Sequence, residues 1–78
     1  MDKEEIRKSI EEEREKFKFM HDFCSERIKT LKKRRKSKDT NEEIKRAKDA
    51  RAEAEYCIRT LDWTLTLFEE QKEENGDQ

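Results

Sequence analysis

Residues 36–41, with the sequence KSKDTN, lie near the middle of the chain and separate two stretches with helical periodicity. Thr40 and Glu43 have the spacing of a capping box at a helix N-terminus, and Asp39 and Asn41 are competing caps. The second stretch is therefore expected to begin a new helix at about this point. Because the connection is short, the two helices should lie side by side and run antiparallel.

Apolar residues on both sides of this turn recur at intervals of three, four or seven, as on one face of an α-helix. Before the turn they are Ile6, Ile10, Phe17, Met20, Cys24, Ile28 and Leu31. After it they are Ile44, Ala47, Ala54, Ile58, Leu61, Leu65 and Phe68, which alternate strictly by three and four if Arg51 is included. We predict one domain over residues 1–78, with a helix at 3–36, a turn at 37–40, a helix at 41–74 and a frayed tail at 75–78.

Folding the chain about Asp39 places opposite each other residues whose numbers add to 78. In this register large residues before the turn meet small ones after it, as close packing requires. The apolar pairs are Leu31 with Ala47, Cys24 with Ala54, Met20 with Ile58, Phe17 with Leu61, and Ile10 with Phe68. Two expected pairs are not apolar, since Glu13 lies opposite Leu65 and Arg27 lies opposite Arg51.

The composition favours an all-α fold that needs a second copy of the chain. Hydrophobic residues make up 29% of the sequence and charged residues 53%, the composition of a long helix or coiled coil. Two thin helices bury too little apolar surface to offset backbone ordering, which costs roughly 1–2 kcal/mol per residue. We therefore predict an antiparallel two-helix hairpin that assembles into a homo-oligomeric helical bundle, either a dimer or a higher assembly.

A second set of large side chains falls outside the expected seam. Phe19 and Phe23 are four residues apart, and a further stripe follows on the second helix. We call the whole set the aromatic face: Phe19, Phe23, Tyr56, Thr60, Trp63 and Leu67. The helical wheel places both stripes on the same broad side of the hairpin, where an exposed apolar patch is typical of an interface. The face is predicted to bind another copy of the chain or, alternatively, a helix of a different protein.

The basic charge is concentrated at the expected turn. Residues 27–38, named here the basic tip, carry eight basic residues and no acidic one, although the whole chain has a net charge of −1. Its helix C-terminus favours some cations through the helix dipole, but that effect does not require eight of them. We predict an anion-binding site formed by Arg27, Lys32, Lys33, Arg34, Arg35, Lys36 and Arg51.

Three kinds of anion suit the basic tip: a nucleic-acid backbone, a small nucleotide held between protomers, and an acidic protein surface. No aromatic residue interrupts the run of cations, so stacking on single-stranded bases is not expected at the tip itself. Lys32 to Lys36 also match a nuclear-localisation pattern, which arises by chance in many lysine-rich helices. The two ends of the hairpin carry opposite charges, because acidic residues gather near both termini, at the end away from the basic tip.

The residues that enzymes use are scarce. His21 and Cys24 are three apart but lack further partners with metal-ligand spacing, and no glycine-rich phosphate loop is present. Cys24 and Cys57 lie inside apolar stripes, as free thiols do in a reducing compartment. No apolar run approaches the roughly 20 residues of a membrane span, and no signal peptide is visible. We predict a cytoplasmic protein that is not an enzyme and has no cofactor, no metal and no membrane partner.

These features favour a homo-oligomeric protein that captures a phosphate-bearing ligand, either a nucleotide or a nucleic acid, through the basic tip and the seam arginines. The layout is generic for small adaptors, regulators and phage- or plasmid-encoded inhibitors that act by sequestration. An adaptor that binds another protein through the aromatic face is the alternative, and a purely structural assembly element is the third.

Overall fold

The computed structural model describes residues 2–76, with side chains to residue 70, and within that range the chain is all-helical. Helix α1 spans Lys3–Lys32 and helix α2 spans Lys38–Gly76. The two helices pack side by side as a hairpin whose Cα atoms extend over 62 × 16 × 16 Å. The predicted helical hairpin is confirmed for a single chain.

The turn differs from its predicted position. Helix α1 ends at Lys32 rather than 36, and α2 begins at Lys38 rather than 41. The cap of α2 is Ser37, whose Oγ accepts the backbone N–H of Thr40 at 3.1 Å. The capping box predicted at Thr40 was therefore wrong, because Thr40 already lies within the first turn.

The early end of α1 follows from how the chain must cross to α2. The backbone N–H groups of Lys33 and Arg34 bond to carbonyls three residues back, on Thr30 at 3.2 Å and Leu31 at 3.1 Å. Such bonds tighten the last turn and satisfy the carbonyls left free at a helix end. Five residues, 33–37, then span the distance between packed helices, about 8–10 Å. The predicted tail at 75–78 was wrong at its first two positions, which belong to α2, and residues 77 and 78 lie outside the described range.

The buried core lies next to the turn. Five residues are buried in the described chain: Cys24, Ile28, Leu31, Ala47 and Ala54. Large side chains come from α1 and alanines from α2, so the helices can approach closely at this end. We call residues 24–54 the tip half and the remaining described residues the open half.

In the open half, every second position of the α1 seam lies one residue later than predicted, whereas Ile10 and Phe17 lie in it as predicted. Arg14 and His21 are half-buried, whereas Glu13 and Met20, which were predicted to face α2, are exposed. The seam positions are thus Arg7, Ile10, Arg14, Phe17, His21, Cys24, Ile28 and Leu31, which alternate strictly by three and four. The prediction followed hydrophobicity and missed this register because arginine buries its aliphatic stem while its head reaches water.

Three cations spaced by seven residues on α1 meet three carboxylates spaced by seven on α2. The pairs are Arg7 with Glu69 at 3.2 Å, Arg14 with Asp62, and His21 Nε2 with Glu55 at 2.9 Å. In each pair the residue numbers add to 76, close to the predicted sum of 78. We call these contacts the polar ladder. A slip of one helical turn would separate all three pairs, so the ladder specifies how the helices align.

Candidate functional site

The basic tip is an exposed patch of cations. Lys32 to Lys36, together with Lys38, are all exposed, and none of them forms an ion pair with another described side chain. The other two cations of the tip have carboxylate neighbours: Arg27 lies 3.9 Å from Glu43, and Lys29 lies 3.4 Å from Glu26. Six of the eight positive charges therefore face solvent without a carboxylate partner.

The local fold brings these cations together. Lys32 is the last residue of α1, where the exposed carbonyl ends of the helix attract positive charge. Residues 33–37 then turn back over the end of the hairpin, so the remaining cations surround one end rather than following one helical stripe. Such a cluster presents several N–H donors to one anion, and arginine can bind a phosphate group with two parallel hydrogen bonds.

The two predicted seam arginines contact different neighbours. Arg51 is half-buried, and its Nη1 donates to Ser25 Oγ at 3.4 Å. Arg27 is exposed and turns toward Glu43 instead. The prediction that Arg27 lies opposite Arg51 was wrong, because the observed register places Ser25 opposite Arg51. Arg51 is therefore set apart from the anion-binding group.

The aromatic face is exposed in the single hairpin. Phe19 is 73% exposed, Trp63 64% and Tyr56 70%, with Phe23 and Leu67 also exposed. The hydroxyl of Thr60 donates to the Tyr56 carbonyl at 3.0 Å, so its polar group is satisfied within α2. The face therefore presents large, mostly apolar side chains, and Thr60 adds no unsatisfied hydroxyl donor to it.

The observed seam modifies where these side chains lie. Counted from it, Phe19, Tyr56 and Trp63 occupy positions opposite the seam, on the outer edges of the hairpin. Phe23, Thr60 and Leu67 lean toward one broad side, as predicted for the whole set. The aromatic face is consequently broader than predicted, and it wraps around the hairpin from that side.

Sequence reasoning missed a groove that links an aromatic ring to the basic tip. It holds about 240 Å³ and is lined by Phe23, Glu26, Arg27, Thr30, Leu31 and Arg34. The expectation that no aromatic ring accompanies the cations considered only adjacent residues. Phe23 and Arg27 are four apart, one helical turn, and this spacing was the available signal.

A titratable group, His21, forms the pair of the polar ladder that lies nearest the turn. Hydrogen bonds from His21 to Glu55 and then to Asp22, at 2.9 and 3.4 Å, raise the pKa of the imidazole above its ordinary value, and partial burial opposes them. The carboxylate of Asp62, by its hydrogen bond and its charge, likewise raises the pKa of Arg14.

Other chemistry is sparse in the described part of the chain. Cys24 is a buried free thiol and Cys57 a half-buried one. Among the residues whose positions are described, no three His, Cys, Asp or Glu side chains converge as metal ligands. Neither helix, over its described length, is apolar enough to cross a membrane.

Comparison with known proteins adds no relationship to these surfaces. The chain has no significant match to a protein-family model, to a curated protein or to a solved structure. The basic tip and the aromatic face are therefore the features of the molecule that indicate its function.

Proposed function

We propose that this protein is a non-enzymatic, homo-oligomeric binding protein that captures a phosphate-bearing ligand, a nucleic acid or a nucleotide, at its basic tip. The observation that supports this most directly is the group of six exposed cations without carboxylate partners. Like charges held this close repel each other, and an anion bound among them relieves that repulsion. By holding its ligand, such a protein keeps the ligand from other binding partners.

Phosphate contacts predict a specific dependence on salt. Each neutralised phosphate of a nucleic acid releases condensed counterions, so affinity falls linearly on a double-logarithmic plot against salt. Six contacts would reduce affinity by roughly a thousandfold between 50 and 200 mM salt. These contacts carry no sequence information by themselves, so binding at the tip should not depend on base sequence.

The exposed area supports association of the hairpins. The hairpin exposes 6689 Å². A compact monomer of 9.6 kDa is expected to expose about 5,100 Å², so roughly 1,600 Å² is in excess. A stable protein–protein interface removes about 800 Å² from each partner. A second hairpin packed on the aromatic face would remove about half of this excess.

Charge complementarity favours an antiparallel arrangement of the two copies. Residues 27–38 carry a charge of +8, whereas residues 61–78 carry −5 and residues 1–26 carry −3. Two hairpins packed head to tail would set each basic tip beside the acidic end of its partner. This attraction is screened within about 10 Å at 0.1 M salt, so it guides orientation more than it adds affinity.

Charge reversal at the tip tests the proposed function. In the double variant Arg34→Glu and Arg35→Glu, affinity for a labelled oligonucleotide should fall by about tenfold or more at low salt, and the slope against salt should decrease by about two. Anisotropy titrations at several salt concentrations measure both quantities. Light scattering should show an unchanged oligomer, because neither residue belongs to the aromatic face.

The matched control reverses two exposed lysines of α1 outside the tip, Lys8→Glu and Lys18→Glu. It has the same change in net charge, and it should retain most of the affinity. If the tip variant binds as tightly as the unmodified protein, anion capture at the tip is wrong.

The exposure of the aromatic face in a single hairpin also favours a second candidate function, an adaptor that binds another protein there. The two functions differ in the state of the purified chain. Light scattering that gives a monomer at micromolar concentrations, with the red-shifted fluorescence of a hydrated Trp63, supports the adaptor. A stable oligomer with blue-shifted Trp63 fluorescence supports the first proposal.

A further inference from the structure

The groove beside the basic tip combines a flat ring with two guanidinium groups. Phe23 stands at one end of it and Arg34 at the other, with Arg27 between them. Phe23 and Arg27 are four residues apart, about 6 Å along the axis of α1. Ring and cation are therefore neighbours on one stripe, and the stripe continues into the exposed cations of the tip.

The groups in this groove are available to a ligand. Phe23 is 61% exposed, so a face of its ring can be covered from solvent. The contact of Arg27 with Glu43 is 3.9 Å, near the limit for an ion pair, and half of the Arg27 side chain is exposed. Glu26, the acidic residue of the groove, lies 3.4 Å from Lys29, and this cation offsets its charge. The Thr30 hydroxyl donates to the Glu26 carbonyl at 3.1 Å and makes no demand on a ligand.

We infer that this groove binds an unpaired nucleobase joined to phosphate, with the base stacked on Phe23 and the phosphate held by Arg27 and Arg34. The inference rests on the proposed function and specifies its ligand class. A base can stack on an aromatic side chain only when it is free of a duplex, and stacking accepts any of the four bases. The groove therefore selects single strands or free nucleotides over duplexes, without selecting a sequence.

This assignment divides the aromatic face. Phe23 lies nearest the tip and belongs to the ligand, whereas Phe19, Tyr56, Trp63 and Leu67 lie farther from the turn along the chain and remain for the second copy. A ligand at Phe23 and a partner hairpin on the other residues then occupy adjacent surfaces.

The experiment compares two exposed apolar residues of the same helix, Phe23→Ala and Met20→Ala. Each is titrated by anisotropy against a labelled single strand of about ten nucleotides. Removing the stacking partner of one base should weaken binding of Phe23→Ala by about 5- to 100-fold. Met20→Ala should bind as the unmodified protein does, because Met20 neither lines the groove nor belongs to the aromatic face. Phe23→Tyr should restore affinity, since it keeps a stacking ring.

Competition against the labelled strand distinguishes the forms of ligand. Inorganic polyphosphate carries charge without bases, so its affinity should be the same for Phe23→Ala and the unmodified protein. A duplex of equal phosphate number should compete less well than the single strand. If a nucleoside triphosphate competes with the strand for the unmodified protein but not for Phe23→Ala, the ligand is a free nucleotide. If only the longer strand competes, the ligand is a nucleic acid.

The outcomes separate this inference from the proposed function. Base stacking is overturned if Phe23→Ala binds the single strand as tightly as the unmodified protein does, or if duplex and single strand bind equally well. The proposed function still holds in that case if the tip variant fails to bind. If light scattering shows that Phe23→Ala changes the oligomer, Phe23 belongs to the subunit interface and the inference is wrong. If neither the tip variant nor Phe23→Ala loses affinity, both the proposed function and this inference are wrong.

Discussion

The tip half and the open half of the hairpin follow one seven-residue pattern but fill it with different chemistry. The five buried residues of the described chain all lie in the tip half, whereas the same seam of α1 carries Arg7, Arg14 and His21 in the open half. Apolar burial stabilises the tip half by roughly 25 cal/mol per Å² removed from water. Half-exposed ion pairs each contribute 0–1 kcal/mol, so the open half is held more weakly.

The difference shows a division of roles along the molecule. The tight end holds the turn and presents the basic tip on a firm support, which suits a site that must keep its charges together. The open end contributes little core, and its polar ladder specifies alignment more than stability, because polar seam residues restrict which partners fit. The aromatic face extends over this weaker half, where a second copy would add most to stability.

The largest expected effect comes from removing the centre of the tip-half core. Leu31 is 1% exposed, so Leu31→Ala should lower the free energy of unfolding by about 2–5 kcal/mol. Ile10→Ala changes the equivalent seam position of the open half, which is half-buried, and should lower it by about 1 kcal/mol. Urea titrations followed by circular dichroism at one protein concentration measure both. Equal losses would contradict the contrast between the halves.

An intermediate effect is expected when the open half is made to resemble the tip half. Arg14→Leu replaces a polar seam residue by an apolar one and leaves Asp62 largely hydrated. The free energy of unfolding should rise by about 1 kcal/mol, since apolar burial exceeds the value of an exposed ion pair. Lys18→Leu is the control at an exposed position and should change it by less than about 0.5 kcal/mol. A large loss of stability in Arg14→Leu would show that the polar ladder stabilises the open half.

The smallest effect concerns pH and His21, at the end of the polar ladder nearest the turn. The pKa of His21 is raised in the folded chain, so protonation favours folding. Its contribution is fully present below the unfolded value of about 6.5 and is lost as pH rises through the higher folded pKa. Thermal unfolding between pH 5.5 and 8.5 should show this loss in the unmodified protein. His21→Gln should show a smaller loss of thermal stability over this range. Parallel pH profiles of the two proteins would show that His21 does not cause the pH dependence.

Several features of the hairpin could be predicted from residues alone. The strict alternation from Ile44 to Phe68 predicted the seam of α2, and it is confirmed as the buried and half-buried side of that helix. The seam of α1 was predicted correctly in its tip half. Elsewhere every second position was predicted one residue too early, because Met20 and Glu13 continued the spacing of three and four. The heptad spacing of Arg7, Arg14 and His21 carried the signal, but a hydrophobicity pattern does not weigh arginine stems.

The candidate site was predictable in part for similar reasons. The concentration of cations between residues 27 and 38 is visible in the sequence and independent of how the chain folds. Which of them have carboxylate partners depends on distances between helices, and the position of Arg27 beside Glu43 rather than Arg51 followed only from the packed register. The groove at Phe23 required the same information.

By itself, the sequence determined that the chain forms two helices that reverse direction near its middle and where its charge gathers, because periodicity and composition act over a few neighbouring residues. The tertiary structure decided the residues of the turn, the seam of the open half and the pairs of the polar ladder. Those depend on how the two helices pack, because contact with the partner helix decides whether Glu13 or Arg14, and Met20 or His21, occupies the seam.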